Sequence, residues 1–478
     1  MNPRAGGNPS LPMSRRFLWV CVLIGSALSL AAAWAIVAQQ LVIGSREGGW
    51  VYRYLGRFNS HSIEPFVIAS VLVAAATAAW WPPLRGLAEN APAEQTGKTN
   101  SVAEWAPIVA WCLLAVVIQA LIRSSNPFPL GAIFASDNAN SFYSVALKYD
   151  VRAILGDFER LRPTWALHAQ SNLPGKLLLV RALIHVSTRP DVLAWLVVLL
   201  SNLGGVFVYI FVRELFADRF IAGLAVVLYL FTPAKLYFFP LLNTVTPAIV
   251  FACACLMVRW LASGRGTYAA LLGAAVYGLV LFEPAALVTG VLFAALLVRA
   301  VLNGSITPRT AVRHIAVGIV AFAATYAVIR AWFGFDLINA FRHVSVDATS
   351  FNVHAKRPYG IWVRQNLLDF LFGAGVCQMV LFAAAFGDGV ARASSRSQSA
   401  VSIVLLCAAA AAMVGVADAV GINRGEVVRL WIFLACFWQI PAAYVCRQLD
   451  GRAAFTIVLI ITLLQDALGS SMLGFIEP

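Results

Sequence analysis

The sequence predicts an all-α, polytopic membrane protein, and three observations predict it. Of its 478 residues 60% are hydrophobic and 12% charged, about half the charged share of a soluble domain. Many segments reach the roughly 20 apolar residues needed to cross a bilayer. These runs are continuously apolar, whereas the strands of a membrane barrel alternate apolar and polar residues.

Applying the length rule, spans are predicted at roughly 17–43, 63–82, 105–122, 191–212, 220–239, 245–261, 267–283, 285–301, 313–332, 366–386, 400–417, 427–446 and 453–473, about 13 helices. The first follows Arg15-Arg16 and lacks a convincing small-residue cleavage site, so it reads as a retained helix rather than a signal peptide. Orientation follows from the basic residues. Arg4, Arg15 and Arg16, then Arg213/Arg219, Arg259/Arg265, Arg309/Arg313, Arg392/Arg396 and Arg447/Arg452, all fall on one side, which the positive-inside rule makes cytoplasmic. Arg46, Arg53 and Arg57 break the pattern between the first two helices. The formal net charge of +13 is accounted for by such loops. No basic stripe interleaved with exposed aromatics points to nucleic acid.

Three organisational units result: an extension of two helices and a cytoplasmic linker over 1–104, a membrane core over 105–446, and a last helix in 447–478. The segment 88–104 is polar and rich in Ala, Asn and Glu, as a flexible linker would be. The eight cysteines all lie in or at the ends of apolar runs, which argues packing rather than disulfides or metal ligation. Segments 123–190, 333–365 and 418–426 are predicted on the outer side. In 123–190, the stretches 138–155 and 175–186 carry apolar residues at helical spacing and read as interfacial helices, punctuated by Pro163 and Pro174-Gly175.

Candidate chemistry concentrates in these outer segments. Asp137 follows Asn126-Pro-Phe-Pro129, which cannot continue a helix. It reads either as a general base at the membrane edge or as a helix N-cap. Asp157 and Glu159, two residues apart, either share a divalent cation such as Mg or Mn or are solvated beside Arg152, Arg160 and Arg162. His168, Gln170 and Asn172, with Lys176, place hydrogen-bonding groups around Pro174-Gly175, where they suit sugar hydroxyls or an ordinary turn. Arg424, Glu426 and Arg429 sit at the outer end of a span; they form a structural pair or hold a phosphate by bidentate bonds. Arg342 and Arg357 add positive charge to the same side. Glu283-Pro284 marks a kink or faces the cavity.

These residues resemble a known superfamily. A polar outer loop with an early Asp and two interfacial helices, followed by a long bundle, resembles the GT-C glycosyltransferases, which use polyprenyl-phosphate sugars. His168-Ala-Gln-Ser-Asn-Leu-Pro-Gly175 is similar to a His-x-Gln-Gly-His-Pro-Pro-Gly stretch of bacterial members. Gly425-Glu-Val-Val-Arg-Leu-Trp431 is similar to their Gly-Glu-x-x-Arg-x-Trp stretch. The resemblance covers about 123–445. Asn138 follows Asp137 where many relatives carry a second acid, Asn172 and Leu173 replace His and Pro, and two extra helices precede the core.

The resemblance implies a multi-pass enzyme of the bacterial inner membrane with a periplasmic site. A sugar would pass from a polyprenyl-phosphate donor to a glycan, lipid or protein acceptor, with inversion. Asp137 would be the base, and Arg424 and Arg429 would steady the leaving phosphate. Two alternatives are an O-antigen polymerase or ligase, whose large loop normally comes late in the chain, and a transporter or flippase of lipid-linked sugars. The latter would show broken helices and polar residues at mid-bilayer, of which the sequence offers few.

Overall fold

A computed structural model describes residues 13–89, 101–393 and 397–478. Arg4, Arg396 and most of the predicted linker fall outside the described residues. Among those residues eleven helices are long and apolar enough to cross a membrane, the architecture of an all-α polytopic membrane protein. Two further predicted spans take another form. Segment 267–283 is the 17-residue apolar helix Gly266–Phe282. Segment 427–446 is broken into Val427–Leu430, Ile432–Phe437 and Gln439–Leu449. The span expected at 366–386 is also divided, into Tyr359–Ala374 and Val376–Ala393.

Helix ends follow ordinary capping chemistry. Ser14 accepts from Phe17 N ahead of Arg15–Val37, and the Asp218 carboxylate accepts from Phe220 N and Ile221 N ahead of Arg219–Leu230. Pro190 and Pro308 open their helices, where the missing N–H has no partner to lose.

Burial ranks the helices. The span Arg219–Tyr237 is wholly enclosed, whereas Pro308–Phe333 has only 6% of its most apolar stretch buried. The first therefore forms the centre of the bundle and the second its periphery. The N-terminal extension is part of the packing: Arg15–Val37 lies against Val376–Ala393 and Arg452–Met472.

Ion pairs and polar contacts mark both ends of the bundle. At one end Arg213 and Arg219 meet Glu104, Arg447 meets Asp218, and Arg85 meets Asp450. The other end carries residues 38–59, 123–190, 334–358, 421–426 and 473–478, linked by contacts such as Gly44–Asp369, His343–Glu159 and Asn126–Ser470. Arg46, Arg53 and Arg57 belong to this second end, in the segment that carries the Gly44–Val51 hairpin.

This second end forms a cap with its own core of Phe134, Phe142, Ile154, Phe158, Trp165, Leu177 and Phe335, with Phe282 from the bundle. The helix expected over 138–155 is two helices, Phe142–Lys148 and Val151–Gly156, because Asp150 caps the second by accepting from Ala153 N. The second expected helix is present as Gly175–Ile184. A short antiparallel hairpin, Gly44–Ser45 with Trp50–Val51, was not anticipated.

The bundle interior is more polar than the sequence suggested. Gln119 donates to Asn202 Oδ1 and to the Leu230 carbonyl. Lys235 is completely buried, its Nζ 3.7 Å from the Tyr229 ring centroid. The Asp466 carboxylate is buried with no hydrogen-bond partner among the described residues.

Candidate functional site

The Asp137 turn is built by short local bonds. Ser136 Oγ accepts from Asn138 N and Ala139 N, and Asn140 Nδ2 donates to the Phe134 carbonyl. Ser141 takes the left-handed conformation at φ 60° and stands at the N-cap of Phe142–Lys148. Asp137 therefore does not occupy the cap position. Its exposed carboxylate accepts from Ser144 Oγ at 2.5 Å.

His168 fastens to that turn. Its backbone N–H donates to Ser141 Oγ at 3.3 Å, and Nε2 lies 2.9 Å from the Asn138 carbonyl. A carbonyl only accepts, so Nε2 carries the proton and Nδ1 keeps its lone pair. Burial, reinforced by the Arg429 cation, lowers the imidazole pKa to about 4. The ring is therefore neutral near pH 7.

Gly175 sets the depth of the next helix. A Cβ there would lie 2.5 Å from the Leu281 carbonyl oxygen, so only glycine lets Gly175–Ile184 approach Gly266–Phe282. This approach brings Lys176 Nζ to 2.7 Å from Glu283 Oε2 and 2.9 Å from Asn172 Oδ1. Asn172 Nδ2 donates in turn to the His168 carbonyl. Lys176 and Asn172 thus lock the stretch in place, and Glu283 is the buried counter-ion of Lys176. Gln170 is held through its backbone carbonyl, which accepts from Arg162.

The third segment turns through two left-handed residues. Gly425 has φ 81° and Glu426 φ 59°, both left-handed. This turn aims Glu426 between two guanidinium groups: Arg429 Nη2 at 2.5 Å and Arg357 Nη2 at 3.3 Å. Burial alone would raise the Glu426 carboxyl, but the Arg429 and Arg357 cations outweigh it and hold it below its ordinary pKa. Arg424 donates from Nε to the Gly421 carbonyl and from Nη1 to the Arg357 carbonyl. It ties the loop together. Arg429 Nε is buried with no partner among the described residues.

Glu426 and Arg429 line a cavity of about 280 Å³. Trp50, Tyr52, Phe238 and Phe475 give it aromatic walls, and Arg53 and Glu477 add charge. These residues were not singled out from the sequence. The misplaced basic residues around Arg53 were the signal that could have found the hairpin.

Of the expected site residues only Glu426 and Arg429 are among those lining the cavity. Asp157 pairs with Arg160 at 3.0 Å, and Glu159 lies 2.6 Å from His343 Nδ1. The two carboxylates thus face different partners. No group of three or more His, Cys, Asp or Glu side chains is placed to hold a metal ion among the described residues. Arg342 is exposed on Leu337–His354. The His168 stretch, the Asp137 turn and the Glu426–Arg429 pair come together; the proposed cation pair does not join them.

What results is a neutral imidazole with a free nitrogen, a carboxylate on a short turn, and a guanidinium with an uncommitted donor. No family model matches the chain, and neither a curated protein nor a solved structure does.

Proposed function

We propose that this chain is a GT-C-like glycosyltransferase of the bacterial inner membrane, with its site on the periplasmic face. It would move a sugar from a polyprenyl-phosphate donor to a glycan, lipid or protein acceptor. The observation that carries the reading is the convergence of the His168 stretch and the Glu426–Arg429 pair on one cavitied end of the bundle. Asp137 takes the proton from the acceptor hydroxyl as that oxygen attacks the anomeric carbon. The bond from that carbon to the phosphate oxygen breaks, its electron pair leaves with the phosphate, and the configuration inverts. Arg429 offers its free Nε–H to the developing phosphate charge, where a preorganised donor in a dry site acts most strongly. Arg357 keeps Glu426, and through it Arg429, in position.

Purified protein incubated with a panel of polyprenyl-phosphate sugars and an acceptor extract tests this. Consumption of one donor with release of polyprenyl phosphate is the expected result. No consumption across the panel counts against transfer.

A second reading, translocation of a lipid-linked sugar, is favoured by one set of observations. Lys235 and Asp466 are enclosed in the bundle without an ion-pair partner among the described residues, and intramembrane charges mark pathways. The segment 427–449 is broken, as in carriers. Movement of a fluorescent lipid-linked sugar across proteoliposomes, with no chemical conversion, would select it.

A further inference from the structure

The hairpin between the first two helices is fastened across the cavity from both sides. Gly44 N donates to both oxygens of Asp369, at 3.0 and 3.1 Å, and Trp362 Nε1 donates to the Gly48 carbonyl. Toward the chain end, Leu55 N donates to the Met472 carbonyl and Gly474 N to the Arg53 carbonyl. These anchors hold Tyr52 in the cavity wall. Its ring meets Phe475 at 4.7 Å and Trp50 at 4.3 Å, both edge-on. Tyr52 is 8% exposed, and its hydroxyl has no hydrogen-bond partner among the described residues. A buried hydroxyl is normally paired, and leaving one unpaired costs about 1–3 kcal/mol.

Two residues that line one cavity each carry a buried donor without a partner among the described residues: Tyr52 Oη from the extension and Arg429 Nε from the core. Aromatic faces, the carboxylates of Glu426 and Glu477 and the Arg53 cation complete the walls. At about 280 Å³ the space sits at the lower limit of small-molecule sites, roughly 300 Å³. That is room for one sugar ring with its phosphate and not for a lipid tail.

We propose that the N-terminal extension completes the ligand site: Tyr52 Oη and Arg429 Nε together bind the phosphate ester of a single sugar, whose ring lies among Trp50, Phe238 and Phe475. The inference rests on the reading of Arg429 as the phosphate-binding residue. The shared chemistry is a monosaccharide phosphate, presented either on a lipid or free. Without the extension the site would lose one of its two donors and most of one wall. The two extra helices thus serve the site rather than only the membrane anchor.

The test is direct binding to the purified full chain in detergent, with a panel of hexose 1-phosphates, farnesyl phosphate and inorganic phosphate as probes. Tyr52→Phe keeps the ring and removes only the hydroxyl. It should weaken the best hexose 1-phosphate about ten-fold, the lower range for a hydrogen bond to a charged group. Tyr54→Phe removes a strap hydrogen bond, to the Leu41 carbonyl, outside the cavity. It should bind as the unchanged protein does. Tighter binding of farnesyl phosphate than of every hexose 1-phosphate overturns the placement of a sugar ring in the cavity. Unchanged affinity in Tyr52→Phe overturns it, and so does equal weakening in Tyr54→Phe. Loss of phosphate binding in Arg429→Lys alone leaves the donor reading standing while the role of the extension falls. Binding that depends on Tyr52, in a protein that consumes no polyprenyl-phosphate sugar, leaves the subsite standing while the transfer reading falls.

Discussion

Glu426→Gln removes the carboxylate that two guanidinium groups share, and the structure sets the size of the effect. Arg357 and Arg429 are 8% and 16% exposed at the side chain, against 23% for Glu426. Exposed pairs contribute about 0–1 kcal/mol. Breaking a buried pair costs about 3–5 kcal/mol, because a charge is left without its partner. Here Arg357 keeps its bond to the Arg424 carbonyl at 2.6 Å, so about 3 kcal/mol is expected at pH 7. Denaturant titration of the purified protein in detergent, followed by tryptophan fluorescence, would measure it. The pH dependence supplies an independent check. The folded Glu426 carboxyl sits below its unfolded pKa. Its contribution is therefore present above the ordinary carboxylate pKa of about 4.3, and is lost as pH falls through the folded value. The stability gap between Glu426→Gln and the unchanged protein should narrow on acidification. A loss below about 1 kcal/mol, or a gap that does not vary with pH, would refute the shared-carboxylate argument.

Three further outcomes are expected. Asp137→Asn should lower transfer by roughly 10²–10⁴-fold with an unchanged melting point; near-normal turnover moves the base elsewhere. His168 has a folded pKa of about 4 against an unfolded one near 6.5. Its contribution to stability is therefore present above 6.5 and declines between about 6.5 and 4, and His168→Asn should remove that part of the pH–stability slope. Cysteine placed at exposed Thr164 should react with an impermeant maleimide in intact cells, and at exposed Ser305 only after lysis; the reverse pattern would overturn the orientation.

Hydropathy located the bundle because crossing a bilayer demands long apolar runs, and such runs are visible without any partner. It did not locate the breaks inside them. The segment 427–446 is apolar except at Arg429 and Gln439, yet the helix is interrupted at Trp431 and again at Trp438. Apolarity measures what a residue prefers to touch, not whether the helix axis continues. Pro233, after Thr232, did carry a local signal: the helix from Arg219 stops at Leu230 and restarts at Pro233, as expected for a residue that starts helices and disfavours the α region just before itself. Gly375 carried the same kind of signal between Tyr359–Ala374 and Val376–Ala393.

The candidate site was legible where its residues cluster in sequence and opaque where they are joined by folding. His168, Asn172 and Lys176 are spaced at four residues, so one local geometry links them through Asn172. Glu426 and Arg429 are three apart and meet for the same reason. The pairing of Lys176 with Glu283 spans 107 positions, and that of Arg357 with Glu426 spans 69. No local period encodes either. The hairpin at 44–51 is harder still, since strands of two residues are too short for alternation to register. Its trace in the sequence is an electrostatic irregularity, three arginines where the bilayer rule expects few. Positive charge kept on the disfavoured side of a membrane needs a local reason. Arg53 borders a cavity that holds Glu426 and Glu477 as well as Arg429. An irregularity in loop charge is therefore informative about function when the loop folds back onto the bundle, and the positions to mutate first are those it brings into a cavity wall.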